Sequence, residues 1–388
     1  MELTAAALLF LSLVSLAILL SLLGRKSKAA RPPGPWSLPF IGSLHHLLTP
    51  LPHVALRDLA KKHGPVMYLR LGQVDAVVIS TPAAAQEVLR DKDINFASRP
   101  SILASEICLY GNLDVAFAPY GAYWLTMRKL CTTELLSARK VRQFAPVRGG
   151  GHDVVHEHGH REGGVRRAPG AVPVGDRGTE TTASTTEWVM SELIRNPCAM
   201  AKAQKEVRCA FDHKNPQDHE AHMEELCYTK MVVKEAMRLH PVVPLLLPRV
   251  CRETCDVHGH RVEEGTRVFV NAWAMARSPE YWQDAEEFRP ERFEDNAADY
   301  KGTKLEYLPF GSGRRMCPGN IFALALVELV VARLLYYFDW SLPAGMRPDE
   351  LDMDTVVGLT AKRSNHLLLV ASPYNVLIHK EIDDCKAH

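Results

Sequence analysis

The chain has 388 residues, 47% of them hydrophobic, and a formal net charge of +1. That is enough apolar material for one large folded domain or two, and so balanced a charge carries no signature of nucleic-acid binding. The cysteine count is nine, an odd number scattered without a disulfide framework, which suits a reducing compartment.

Leu3 to Leu23 runs without a charge and as a helix covers roughly 30 Å of bilayer. Glu2, with no basic residue before the run, argues against a cleaved signal peptide. Arg25, Lys26 and Lys28 follow, so the positive-inside rule puts everything downstream in the cytosol. Residues 1–24 are expected to be a transmembrane anchor. Residues 25–36, with Arg31-Pro32-Pro33-Gly34-Pro35, are expected to be a stiff basic and proline-rich hinge. Between 37 and 146, Pro52 to His63 reads as a short amphipathic helix. Val66–Leu71 and Ala76–Ile79 read as strands joined at Gly72, and Pro82 to Arg90 returns to helix, giving a small sheet-containing lobe. Ser101 to Pro119 reads as loop. Trp124 and Arg128 fall four apart on a helical pattern and share a face. Such a pair can hold a carboxylate through charge-assisted hydrogen bonds. An amphipathic helix with a snorkelling arginine has the same spacing, and spacing alone leaves the two level. Lys129 and its basic neighbours offer a patch to an acidic partner, or simply a solvated face.

Residues 147–177 change character. They are rich in Gly, His and Arg, without aromatic residues or an amphipathic period, and are expected to be disordered. His152, His156, His158 and His160 read as a solvated tract before they read as a metal site. Order resumes at Gly178-Thr179-Glu180-Thr181-Thr182, with a helical pattern to Ile194. Thr179 followed by Glu180 is a plausible capped helix start, while Glu180 beside Thr181 is also the acid–hydroxyl pair that proton delivery needs. Leu226 to Leu239 is helical, and Glu235 and Arg238 face the same side. His240-Pro241 ends that helix. Leu245 to Val250 reads as a strand containing Arg249. Val257–Arg261 and then Thr266–Val270 read as a hairpin punctuated by Gly259 and Gly265. Cys251, Cys255, His258 and His260 also invite a zinc reading, but the hairpin uses the same residues without a metal. Phe288-Arg289-Pro290-Glu291-Arg292-Phe293 follows.

Pro309-Phe310-Gly311-Ser312-Gly313-Arg314-Arg315-Met316-Cys317-Pro318-Gly319 then precedes an apolar helical pattern from Ile321 to Leu335. Glycines let a backbone approach a flat ligand and adopt dihedrals that other residues resist. Cys317 sits just before a helix start, where backbone N–H groups and the helix dipole favour thiolate over thiol. A buried free cysteine in a glycine-rich turn would look similar if the cysteine stood alone.

The run F-x-x-G-x-R-x-C-x-G, carried by Phe310, Gly313, Arg315, Cys317 and Gly319, resembles the haem-binding loop of cytochrome P-450 monooxygenases. The proline hinge, Trp124-x-x-x-Arg128, Gly178 to Thr182, Glu235-x-x-Arg238 and Pro290-Glu291-Arg292-Phe293 resemble other motifs of the same family, in its plant microsomal branch of specialised metabolism. The resemblance implies a mainly α fold with a small β lobe, an N-terminal transmembrane helix, and haem b between a distal and a proximal helix. It implies Cys317 as the proximal ligand to iron, with Phe310, Gly311, Gly313 and Gly319 shaping the loop. Trp124, Arg128, Arg249 and Arg315 would hold propionates, and Glu180 and Thr181 would deliver protons. Glu235, Arg238 and Arg292 would lock the core behind the loop. Met353 to Thr360 would dip into the substrate pocket. The implied reaction inserts one atom of O2 into a small lipophilic substrate. Its electrons come from NADPH through a flavoprotein reductase, at the endoplasmic reticulum membrane. Residues 178–388 would be the C-terminal haem-binding part. Terpenoid, phenolic and indole-type substrates all stay open.

One departure is large. Only residues 145–177 separate the early helices from the distal helix, where the family carries several helices that roof the substrate pocket. Arg177 also stands where a small residue should sit against haem. The tract reads like translation in the wrong frame or a misjoined gene model. The competing expectation is a membrane-anchored remnant without catalysis.

Overall fold

The computed structural model describes residues 31–109, 111–149, 174–296, 298–358 and 360–374. The expected anchor, the basic start of the hinge and most of the 147–177 tract lie outside these residues. The chain divides into two compact units.

The first unit comprises the chain up to Gly121, Leu245–Met275 and Ser312–Arg315. Helix α1 (Pro52–His63) leads into strands β1 (Val66–Leu71) and β2 (Val74–Ile79), paired antiparallel with Tyr68 opposite Val77. Gly72, at φ +63°, makes the turn between them. The later strands are β3 (Arg249–Val250), β4 (Cys255–Val257), β5 (His260–Val262) and β6 (Arg267–Val270). Sheet order is β1-β2-β6-β3, with β6 parallel to β2 and antiparallel to β3. Leu56 of α1 packs with Met67, Leu69, Ala76 and Val78 on one face of this sheet.

Two sequence expectations need correcting here. The strand expected over Leu245–Val250 shrinks to Arg249–Val250, because Leu246 takes φ +50° and Pro248 has no N–H for a ladder. The hairpin expected between Val257–Arg261 and Thr266–Val270 is not formed by those segments. Val257–Arg261 is itself a hairpin tip, with His258 and Gly259 at φ +50° and +78°, the signs that a tight hairpin turn needs. Arg267–Val270 pairs instead with β2, far away in sequence.

The described part of the hinge is docked rather than free. Pro33 accepts the Tyr68 N–H at 2.8 Å, and Arg31 donates to Asp75 at 3.0 Å. The Tyr68 hydroxyl donates to the same carboxylate at 2.6 Å, and burial beside it pushes the phenol up to about 12. Gly34 lies so close to the Tyr68 carbonyl that a Cβ would collide with it.

The second unit comprises Ala122–Pro244, Ala276–Gly311 and Met316 onward. Its main helices are α2 (Ala122–Leu130), α3 (Val174–Arg195), α4 (Pro197–Phe211), α5 (Cys227–Leu239) and α6 (Asn320–Tyr337). Helix α3 packs against α4, α5 and α6. Val189, Leu193, Val207, Phe211, Val233, Val331 and Leu335 form their shared core. Helix α6 is the one described helix long and apolar enough to cross a membrane, by length and composition. Its place in this core, and Arg333 bonded to the Arg148 and Pro216 carbonyls, give it the surroundings of a core helix. Two small antiparallel ladders complete the unit, β7 (Phe338–Ser341) with β10 (Val370–Pro373) and β8 (Thr355–Val357) with β9 (Ala361–Arg363). Helix α3 starts at Val174, four residues before the expected resumption of order. Thr179 is therefore inside the helix and not its cap, and the backbone of Arg177 is helical.

Glu235 and Arg238 are fully buried, one turn apart on α5. Arg238 donates from Nε and Nη2 to the two oxygens of Glu235, each at 2.8 Å. Arg292 donates to Oε1 at 2.8 Å, and the Arg289 N–H adds a bond at 2.9 Å. The guanidinium groups then bind the carbonyls of Ala276, Asp284, Ala285 and Glu287, so one carboxylate organises the whole 276–292 segment.

Candidate active site

In the second unit, the loop before α6 is closed by two backbone bonds. The Gly311 N–H donates to Leu308 at 3.1 Å, and the Cys317 N–H donates to Phe310 at 2.9 Å. Phe310 anchors the loop by packing on the core and edge-on to Tyr300. Gly319 ends the loop as the N-terminal cap of α6. A Cβ there would lie 4.0 Å from the Cys317 sulfur and 3.9 Å from Leu136. The sulfur is half-buried, receives the Gly319 N–H and feels the charge of Arg128. Both favour the thiolate, as the sequence suggests. Burial is the larger effect and pushes the thiol upward, so an additional positive charge at the sulfur is what would ionise it.

Helix α2 supplies Trp124, 2% exposed, with the Arg128 guanidinium 6.0 Å from its ring centre. Among the described residues no carboxylate pairs with Arg128. On α3 the Glu180 side chain is exposed, and its Oε1 accepts the Thr360 hydroxyl at 3.0 Å. Thr181 is half-buried, and its carbonyl accepts the Thr185 hydroxyl at 2.8 Å.

In the first unit, the loop residues Ser312–Arg315 meet a cluster of buried arginines. Arg315 donates to the Ala97 and Ala118 carbonyls at 2.6 and 2.5 Å. Arg249 donates to Asp93 at 3.1 Å and to the Ser312 carbonyl at 3.1 Å. Arg99, which the sequence does not single out, binds the Ala116, Leu247 and Pro248 carbonyls. All three are less than a tenth exposed. Burial lowers the Arg99 pKa well below its usual value, and the charges of Arg249 and Arg315 add to this. Asp93 pairs with Arg249, and Asp114 lies near Arg99. Buried guanidinium groups gathered this closely favour an anionic ligand. No local pattern could have flagged Arg99, since its partners come from three separated stretches.

Gly313, at φ +71°, packs so tightly that a Cβ would collide with the Leu89 carbonyl and crowd Asp93. Gly345 has the same φ but open space around it. Gly313→Ala is expected to cost more than about 2 kcal/mol, and Gly345→Ala only the backbone term of about 1 kcal/mol. Denaturant midpoints measure both, and equal losses would remove the close-packing argument.

The sequence model for cytochrome P450 matches residues 32–162 and 177–369, running into the Gly/His/Arg tract and leaving 163–176 unmatched. The chain belongs to the cytochrome P450 family. It is 49% identical to a 9-beta-pimara-7,15-diene oxidase of Oryza sativa subsp. japonica, over 95% of this chain and 97% of that protein. It is 39% identical to a premnaspirodiene oxygenase of Hyoscyamus muticus, over 94% and 99%. Among solved structures, a zebra fish cytochrome P450 with progesterone superposes with a TM-score of 0.70 at 21% identity, covering 83% of this chain and 99% of that one. The fold is thus a P450 fold, largely helical with small sheets. Cytochrome P450 proteins bind haem b and are monooxygenases, oxidoreductases that incorporate molecular oxygen. The residues present suit that group: a glycine-lined cysteine at a helix start, a cluster of buried arginines, and Arg128, which pairs with no carboxylate among the described residues. The alignment to the rice oxidase runs over 488 residues, whereas this chain has 388, so the relative carries a long stretch without a counterpart here.

Proposed function

We propose that this P450 oxidises a small lipophilic terpenoid hydrocarbon of plant specialised metabolism, with Cys317 as the ligand to haem iron. The single observation that carries the ligand assignment is the cysteine loop, in which Gly319 and Arg128 both act on one half-buried sulfur. In the second unit, Trp124 and Arg128 would hold a propionate. In the first, Arg249 and Arg315 would do so, with Arg99 reinforcing the positive field. Bound haem would supply the oxygen chemistry, and Cys317 would hold its iron as an electron-donating thiolate. The Thr360 hydroxyl fixes one oxygen of Glu180, which would deliver protons to Thr181. Thr181, the next residue on α3, would pass those protons inward. Electrons would come from NADPH through a flavoprotein reductase. The terpenoid class is favoured by the diene oxidase and premnaspirodiene oxygenase among the relatives.

An endoplasmic-reticulum anchor at 1–24 with a cytosolic catalytic domain fits the uncharged run and its basic flank. Protease added to sealed microsomes should digest the large domain, and its protection would reverse the orientation.

A second reading is favoured by the interrupted family match and the long stretch found only in the relatives. Haem is apolar over most of both faces, and its burial needs walls on each side. With the pocket roof replaced by the 147–177 tract, water would reach the iron and activated oxygen would be lost as peroxide instead of reaching substrate. The chain is therefore expected to turn over uncoupled. Expression with a reductase, measuring NADPH consumed, peroxide released and product formed, checks this. Product matching NADPH, with little peroxide, would show that the roof is dispensable.

A further inference from the structure

Cys251 and Cys255 flank a short loop of the first unit that lies against Asn95. The Asn95 carbonyl accepts the Arg252 N–H at 3.0 Å, its Oδ1 accepts the Glu253 N–H at 2.8 Å, and its Nδ2 donates to the Glu253 carbonyl at 2.7 Å. The same Nδ2 lies 3.2 Å from the Cys255 sulfur and 3.8 Å from the Cys251 sulfur. One side chain thus holds the loop folded with both sulfurs on the same side. Both cysteines are free thiols. The two differ in kind. Cys255 is partly exposed, and its sulfur receives the Asn95 amide N–H. Cys251 is 1% exposed and donates its thiol proton to the Glu253 carbonyl at 3.0 Å. Burial pushes that thiol up to about 12. The zinc reading of this segment is not supported by its geometry. His258 leans towards Glu87, and among the described residues no group of three His, Cys, Asp or Glu is placed to share a metal.

We propose that Cys255 and Cys251 form a reversible, peroxide-driven dithiol switch. The Cys255 thiolate attacks a hydroperoxide, the O–O bond breaks, and Cys255 becomes a sulfenic acid as the peroxide is reduced to water or an alcohol. The Cys251 sulfur then displaces the sulfenic oxygen. The S–S bond forms as the S–O bond breaks, and the displaced oxygen leaves as a second water carrying the Cys251 proton. For hydrogen peroxide, two thiols and one peroxide become one disulfide and two waters, and a cytosolic dithiol reverses the step. The bridge would clamp the chain two residues beyond Arg249. Cys198, Cys209 and Cys227 are free and more exposed, and serve as internal controls.

The test is hydrogen peroxide added to the purified full chain, then alkylation and a non-reduced tryptic map. Trypsin cuts at Arg249, Arg252 and Arg261, so the disulfide appears as peptide 250–252 joined to peptide 253–261. The expected result is that this pair forms at peroxide levels that leave Cys198, Cys209 and Cys227 alkylatable, and that it disappears on adding dithiothreitol. Cys251→Ser should abolish the pair and leave a dimedone-trappable sulfenic acid on Cys255. The proposal is overturned if Cys255 in the unmodified chain stays alkylatable at peroxide levels that oxidise the three controls. A dimedone adduct on Cys255 in place of the joined peptides would overturn it equally. Neither of these readings depends on a variant folding.

Discussion

Cys317→Ser is expected to abolish the strongly red-shifted Soret band of the reduced carbon-monoxide complex, while Cys251→Ser and Cys255→Ser leave it in place. The band reports thiolate ligation, and a serine hydroxyl at this position would stay protonated. Even the thiol is held upward by burial, and only the Gly319 N–H and the Arg128 charge oppose this. A hydroxyl starts several pK units higher and gains no more from those two groups. The loop itself should survive, since its closing bonds are backbone bonds from Gly311 and Cys317. The variant is thus expected to keep its helical circular dichroism while losing the spectrum. An unchanged Soret band in Cys317→Ser would remove the assignment of this residue as the ligand.

Glu235→Ala is expected to leave little folded protein. The carboxylate is wholly buried and accepts two bonds from Arg238, one from Arg292 and one from the Arg289 N–H. Its removal leaves the fully buried Arg238 without its counter-charge and Arg292 without its link to α5. Breaking a buried ion pair from one side costs about 3–5 kcal/mol, a large share of the total stability of about 5–15 kcal/mol. Glu235→Gln keeps an acceptor oxygen but not the charge, and should fall between the two. Soluble yield and thermal midpoint measure the series. A midpoint for Glu235→Ala within a few degrees of the unmodified chain would show that the 276–292 segment is held by something else.

The motifs legible in the sequence are those whose partners lie within a helical turn or a single loop. Trp124 and Arg128 are where their spacing puts them, with the guanidinium over the ring. Glu235 and Arg238 pair as i, i+3 residues should, and Cys317 sits at a helix start beside Gly319. The helix expected from Leu226 to Leu239 and the one from Ile321 to Leu335 appear almost unchanged, because the first carries a 3.6-residue apolar period and the second is an apolar run too long for a strand. The misread segments were short. Gly259 and Gly265, six residues apart, suggested one hairpin, whereas the positive φ of His258 and Gly259 makes a tighter one.

By itself the sequence determined the family, the cysteine loop and the spacings that bring Trp124 to Arg128 and Glu235 to Arg238. Each is a local pattern, fixed by the geometry of one helix turn or one glycine-rich loop. Only the tertiary structure decided that β6 would join β2 in parallel, that Asn95 would gather two cysteines against one amide, and that Arg99 would join Arg249 and Arg315. In each case the partners lie far apart along the chain. Which of many possible buried polar groups meet is then set by the requirement that every one of them find a partner once water is excluded.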